Sequence, residues 1–414
     1  MTTTTKQIDY ARGAGLEHVA DDPLHGELMT LNMGPQHPAT HGVLRIVVTL
    51  DGETMRTVEP VVGYLHRGKE KSAETLGWHK FFPHTDRLDY VQPLTNNVAY
   101  ALSMEKLAGL EVPERGQIVR VLLMEVSRIA AHLIYLGTTA IDLGAITMFF
   151  ACFKERETIY QILDAYTGHR MNNTYVRIGG VYADFDEQSA RITREFIDQF
   201  PARVDDFEKV LTGNRIWYDR NRDIGVITPE SAKAWCLTGP NLRGAGVPFD
   251  LRKAQPYCGY ERYDFEIPVG TLGDCYDRYL VRLEEMRQSA RIVSQALDLL
   301  ERTRGGEVLA EDRRYVLPPK GDVHRSMEEL IFQFKVVTDL RLPAGEAYVP
   351  VESSKGELGF FCVSDGTAKP VRVHIRAPGL INVQAIPMLA EGRLFSDMVS
   401  LIGSLDFVMG EVDR

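Results

Sequence analysis

A chain of 414 residues is too long for one compact core, so two or three sub-structures are expected. With 44% hydrophobic and 25% charged residues, its composition is that of an ordinary soluble globular protein. The net charge is −10 and no run of four basic residues occurs, which argues against binding to nucleic acid or to an anionic lipid surface.

Residues 1–26 read as a flexible tail: threonine-rich, then Asp21-Asp22-Pro23 ahead of the first apolar run. The start has neither an apolar signal core nor an Arg-rich presequence, so the mature chain is expected to begin here and stay in the cytoplasm. Over residues 43–50, Leu44, Ile46, Val48 and Leu50 fall on one side of an extended run. Asp51-Gly52 and a second run to Val62 predict a hairpin, within a β-rich part spanning 27–97.

Helical spacing dominates residues 98–340. A helix over 98–107 is closed by Gly109 and Pro113; another over 117–136 carries Val121, Leu122, Val126, Ile129, Leu133 and Leu136. Glu125 and Arg128 are spaced to pair on that second helix. Glu187–Leu211 and residues 276–304 are further amphipathic helices, the latter closed by Gly305-Gly306. The whole predicts a helical bundle interrupted by a long irregular insertion at 224–273. The apolar stretch 133–151 contains Asp142, a costly residue at a bilayer centre, and is expected to be buried in protein. Residues 341–414 read as β-rich again, with strands near 347–351, 358–363 and 371–375. The fold class is α+β, a central bundle flanked by two β-rich parts.

Cys152, Cys236, Cys258, Cys275 and Cys362 are dispersed and odd in number, with no Cys-x-x-Cys pair, which argues against a disulfide framework. His37 and His41 are four apart, but Pro38 and Gly42 make a shared helix face, and so a zinc pair, improbable. Histidine in such a loop is often a turn or cap residue; its chemistry also suits it to donate a proton. Gly63-Tyr64-Leu65-His66-Arg67-Gly68 reads as a solvated turn or a second candidate, and Tyr90 as a buried aromatic or a hydrogen-bond donor. Asp142 in its apolar context must find a partner or take up a proton. Phosphate-loop and dinucleotide fingerprints are missing, so this chain is not expected to hold NAD itself.

Taken in order, Gly34-Pro35-Gln36-His37-Pro38 through His41-Gly42, Gly63 to Gly68, Arg87-Leu88-Asp89-Tyr90 and Phe153-Lys154-Glu155-Arg156-Glu157 resemble the D-subunit family of respiratory complex I. So do Tyr175-Val176-Arg177-Ile178-Gly179-Gly180, Gly345-Glu346 with Tyr348, and Ser404-Leu405-Asp406 to Asp413-Arg414. The resemblance runs from about residue 27 to the end. That family is in turn similar to nickel–iron hydrogenase large subunits, which grip their metal with two Cys-x-x-Cys pairs. The matching regions here, 65–68 and 408–411, hold no cysteine, so the soft thiolates a nickel–iron centre needs are missing.

What the resemblance implies is a vacated metal cavity that receives quinone as substrate. His41 and Tyr90 are the implied donors to its oxygens, and Asp142 the carboxylate that orients His41. Arg87 is implied to lie near an iron–sulfur cluster of a small partner subunit; that cluster and FMN belong to partners, and no metal to this chain. Further implied partners are the adjacent peripheral-arm subunits and the membrane arm, with this chain peripheral on the cytoplasmic face of the cell membrane. Two positions depart from the family pattern. Asn172 stands where many members have a titratable histidine, and Phe407 where proline is common. The alternatives are a non-catalytic hydrogenase-like scaffold and a metal hydrolase using His37, His41 and His66.

Overall fold

The computed structural model describes residues 17–22 and 26–414, with side chains from residue 28 onward. Helices fill the middle of the chain and strands gather towards both ends, the α+β arrangement read from the sequence. Strands β1 (Glu17–Asp22), β2 (Gly26–Met33), β3 (Arg45–Asp51) and β4 (Thr54–Val61) form one antiparallel sheet in chain order. Most of the tail read over 1–26 lies outside the described residues. Its Glu17–Asp22 part is β1, whose backbone groups find partners on β2.

The period-two pattern in β3 is realised: Leu44, Ile46, Val48 and Leu50 are all buried. The hairpin loop is shifted by one residue from Asp51-Gly52. Asp51 pairs with Thr54 across Gly52-Glu53, after a bulge between Thr49 and Leu50 moves the register. Gly52 takes φ +59°, a conformation that disfavours a side chain.

Helix Glu114–Asp142 runs through the centre, 29 residues long and buried along most of its length. It extends beyond the predicted 117–136 at both ends, because Pro113 only marks its start and the apolar run continues to Ala140. Glu187–Leu211 forms as read, capped by the Asp186 side chain, and Cys275–Arg302 covers the helix read at 276–304. Helix Pro93–Ala108 ends at Gly109 in the left-handed region, φ +63°.

The stretch 133–151 is corrected in part. Residues 133–140 are buried for the most part, but the chain turns at 143–145 and Ile141, Ile146 and Phe150 are exposed at the tip of a helical hairpin with Ile146–Thr167. Gly144, φ +91°, and the helix cap at Leu143 break what would otherwise be one long apolar helix. Among the described residues no helix is long and apolar enough to cross a membrane.

Two short strands, β5 (Val176–Arg177) and β6 (Gly180–Val181), pair beside the bundle. Strands β7 (Gly345–Ser353), β8 (Gly356–Ser364) and β9 (Arg372–Arg376) make a three-stranded antiparallel sheet whose apolar side, including Val351, Phe360 and Ile375, joins the bundle core. After β9 the chain turns helical, ending in Asp397–Leu405 and Met409–Val412. These helices share a second core with the N-terminal sheet, where Ile46, Val48 and Met55 pack with Leu401, Leu405 and Met409. The two ends of the chain are thereby brought together against the central helix.

The insertion 224–273 carries three short helices, Pro229–Ala234, Pro240–Gly244 and Leu251–Ala254, and is anchored through charge. Buried Arg243 meets Glu352 at 2.8 Å and Glu285 at 2.7 Å, and Arg252 meets Glu125 at 3.1 Å. The Glu125–Arg128 pair read from helical spacing is present at 3.3 Å. Paired charges at this depth fix which chain segment lies where, since an unpaired one would be severely penalised.

Candidate functional site

The loop at 34–42 is held by its own side chains. Thr40, fully buried, donates from Oγ1 to the His37 carbonyl at 2.7 Å and lies 3.1 Å from that of Gly42. His37 caps a single 3-10 turn over Pro38–Thr40: its Nδ1 accepts from the Ala39 N–H at 3.2 Å. It is therefore the turn residue of the pair. His41 closes the turn in the left-handed region, φ +50°, and this reversal aims its ring across the molecule. Its Nε2 lies 3.0 Å from Oδ2 of Asp142, the last residue of the central helix. Both side chains are mostly sheltered, 15% and 12% exposed, yet still reachable.

Tyr90 sits in the turn after helix Phe82–Thr85 and leads into helix Pro93–Ala108. It packs among Val91, Ala131, Ile134 and Val408. Its ring lies so close to Gly410 that a Cβ there would come within 3.1 Å of two ring carbons. Gly42 backs onto Met409, and the His41 ring lies 6.4 Å from that of Phe407. His41 and Tyr90 thus border the same short segment, residues 407–410. Burial, reinforced by Asp89, holds the Tyr90 hydroxyl above the ordinary phenol range, so it remains a proton-bearing donor at neutral pH.

Arg87 is half-exposed and stands apart from this group. Its guanidinium donates to the Pro83 carbonyl, and its own carbonyl accepts from Arg67 at 2.8 Å. Lys69 lies 3.0 Å from His84, and its pKa is lowered to about 8 by burial and then by Arg67 and Arg87. These groups make a local positive field. Asp86, beside Arg87, accepts from Thr174 and Asn97, which ties this turn to the loop holding Asn172. Asn172 takes φ +54°, a conformation Asn tolerates better than most residues.

The loop at 63–66 is tied to Asp413, two residues beyond the region 408–411. The Asp413 carboxylate accepts from the N–H groups of Gly63 at 2.8 Å and Leu65 at 2.6 Å, while His66 Nδ1 donates to the Asp413 carbonyl at 2.7 Å. The three histidines of the hydrolase reading therefore serve three separate partners: Ala39, Asp142 and Asp413. Among the described residues no group of three or more His, Cys, Asp or Glu side chains is placed to hold a metal ion.

Behind Tyr90 lies a buried charged cluster that sequence reasoning missed. Lys355, in the tight turn between β7 and β8, is 3.0 Å from Asp89 with both side chains buried. Burial opposes its charge, but Asp89, Asp406 and Glu411 together hold the ammonium protonated. Arg282 lies 3.9 Å from Asp406 and stacks 4.1 Å over the Tyr135 ring. Glu411 is wholly buried. One signal in the sequence was available: Asp406, Glu411 and Asp413 punctuate a terminal stretch that is otherwise almost entirely apolar.

Comparison with known proteins agrees along nearly the whole chain. A family described as the respiratory-chain NADH dehydrogenase 49 Kd subunit matches residues 142–414. The D subunit of the NADH-quinone oxidoreductase of Geotalea uraniireducens is 49% identical over 389 residues, covering 94% of this chain and 99% of the relative. Its counterpart in Methylacidiphilum infernorum is 50% identical over 94% of this chain and 93% of its own. One of the D subunits of Chloroflexus aurantiacus is 51% identical, with 94% and 95% covered.

Proposed function

This chain belongs to the respiratory-chain NADH dehydrogenase 49 kDa subunit family, and we propose that its His41, Asp142 and Tyr90 form the place where the enzyme reduces quinone. As a subunit of an NADH-quinone oxidoreductase, it works with the other subunits of that complex. The observation that carries the proposal is that His41, backed by Asp142 at 3.0 Å, and Tyr90 both border residues 407–410.

Two-electron reduction places negative charge on the quinone oxygens. Donors already aimed at those oxygens stabilise that charge and supply the two protons that complete the quinol. Tyr90 brings an O–H and His41 an N–H. The carboxylate of Asp142 fixes the imidazole, so no reorganisation is needed when charge develops. Electrons would come from an iron–sulfur cluster of the small partner subunit, on the side where Arg67, Lys69 and Arg87 give a positive field that favours a reduced neighbour. FMN and the remaining clusters would belong to other partners, and the quinone would arrive from the membrane arm, with this chain peripheral on the cytoplasmic face.

Asp142 extends the reading to energy coupling. Once His41 gives up a proton, its attraction for Asp142 weakens, and the carboxylate at the helix end is free to move. The neighbouring exposed Ile141, Ile146 and Phe150 would carry that movement to an adjoining subunit.

The test uses the assembled complex. Tyr90→Phe and His41→Ala should each slow quinone reduction by about 10²-fold, the usual worth of a positioned proton donor, while NADH oxidation by an artificial acceptor continues. Quinone reduction at the wild-type rate in both variants would leave this chain a scaffold only.

A further inference from the structure

We infer that Glu411 carries a proton in the resting protein, and that this neutral carboxyl is a positioning device that leaves Asp89 ionised and paired with Lys355 behind Tyr90. The inference rests on the quinone-site reading for its consequence, though not for the protonation itself.

Glu411 lies on the terminal helix Met409–Val412 and has no exposed surface. Its Oε1 accepts from the Gly379 N–H at 2.9 Å, and the fit is close enough that a Cβ on Gly379 would come within 2.5 Å of that oxygen. Oε2 is buried with no hydrogen-bond partner among the described residues. An ionised carboxylate rarely tolerates that, whereas a protonated one leaves a neutral hydroxyl unmet, which costs far less than a buried unpaired charge.

The charges around it decide where the proton sits. The charges acting on Glu411 are two carboxylates, Asp89 and Asp406, and the ammonium of Lys355, while Arg282 faces Asp406 and buried Arg278 donates to Ser404. Asp89 is served best: Oδ1 accepts from Val91 N–H at 3.0 Å and Gln92 N–H at 3.3 Å, and Oδ2 meets Lys355 at 3.0 Å. Asp406 has Arg282 at 3.9 Å and retains some exposure. Glu411 has neither a cation within ion-pair distance nor solvent. Glu411 is thus the carboxyl whose ionisation is least compensated, and a proton on it removes an unpaired buried charge. Burial, then Asp89, pushes the Glu411 carboxyl up to about 8, with Lys355 and the Gly379 N–H acting the other way and Asp406 adding to the rise.

Tyr90 feels this cluster directly, since Asp89 raises the pKa of its hydroxyl and Lys355 lowers it. Losing the Glu411 proton adds a second anion competing for Lys355. It also opposes the negative charge that develops when Tyr90 donates. Quinone reduction should therefore weaken on the alkaline side of about pH 8. Lys69 titrates in the same range at the Arg87 face, so kinetics alone do not isolate Glu411.

The experiment is infrared difference spectroscopy of the whole complex across about pH 8, paired with the pH profile of quinone reduction, in wild type and Glu411→Gln. A protonated-carboxyl carbonyl band should be lost with alkali in wild type and be missing in the variant. Beyond the titration the wild-type rate should settle at a lower plateau, down by roughly tenfold for each pK unit by which the new anion opposes charge on Tyr90, and the variant should lose that part of the fall. A band that persists in Glu411→Gln, or a wild-type band that does not change across about pH 8, overturns the inference. So does failure of Glu411→Gln to assemble, because glutamine has the shape and charge of the neutral acid. If Tyr90→Phe leaves quinone reduction intact, the site reading fails, while the infrared band still decides the state of Glu411.

Discussion

The imidazole of His41 and the carboxylate of Asp142 meet at 3.0 Å across a gap of 101 residues. The carboxylate stands on the last residue of a 29-residue helix, where the unpaired carbonyls make the local potential negative. An anion there is poorly placed unless a donor faces it, and the left-handed turn at His41 supplies one. Asp142→Asn keeps the shape and removes the charge. The imidazole then faces a neutral amide in place of the anion that holds it, and quinone reduction should drop by about 10²-fold. Artificial-acceptor activity in the same membranes should stay near wild type. An unchanged quinone rate would show that His41 needs no carboxylate behind it.

Gly410 sets the position of the Tyr90 ring. A Cβ there would fall inside contact distance of the Leu88 carbonyl oxygen and 3.1 Å from two Tyr90 ring carbons. The carbonyl is backbone and cannot step aside cheaply, so the ring and the short helix must part. Gly410→Ala should cost about 1–3 kcal/mol of stability through overpacking, and should lower quinone reduction because Tyr90 is displaced. Thermal unfolding and the quinone rate of the same preparation check both effects. A variant with wild-type melting and wild-type rate would mean that the contact relaxes freely.

These relationships differ in how far the sequence revealed them. The helix Glu187–Leu211 was legible in full, because its apolar spacing is sustained along its whole length and Asp186 provides a cap. The alternation in β3 was legible for the same reason, since each side chain reports its own face. The hairpin loop was off by one residue, because the bulge at Thr49 and Leu50 leaves no mark in the hydrophobic pattern. Pairings across long loops leave no periodic trace at all. His41 and Asp142 came together only through family resemblance. Lys355, in the polar turn Ser353-Ser354-Lys355-Gly356, drew no reading from the sequence, although its ammonium is buried against Asp89. Likewise the sharing of one core by β3 and helix Asp397–Leu405 follows from tertiary packing, not from local pattern.

His79 gives a stability test independent of quinone. Its ring is largely enclosed beside Trp78 and Phe82, with Nδ1 unpartnered, and burial followed by the charge of Arg177 lowers its pKa to about 4. In the unfolded chain an imidazole titrates near 6.5. Above that value neither state binds the proton, and His79 contributes no pH dependence. As the pH falls through 6.5 the unfolded chain takes up a proton that the folded chain refuses, so stability falls. The loss levels off near pH 4, where the folded ring also protonates. A shift of this size amounts to about 3 kcal/mol at most, and less where solvent reaches the ring. His79→Gln removes the titration while keeping a polar side chain of similar reach. Chemical denaturation of the full chain between pH 4 and 6.5 should therefore show a shallower acid loss in the variant than in wild type. Equal slopes would mean that the folded protein opens around His79 before the ring is charged, and that its enclosure adds nothing to acid sensitivity.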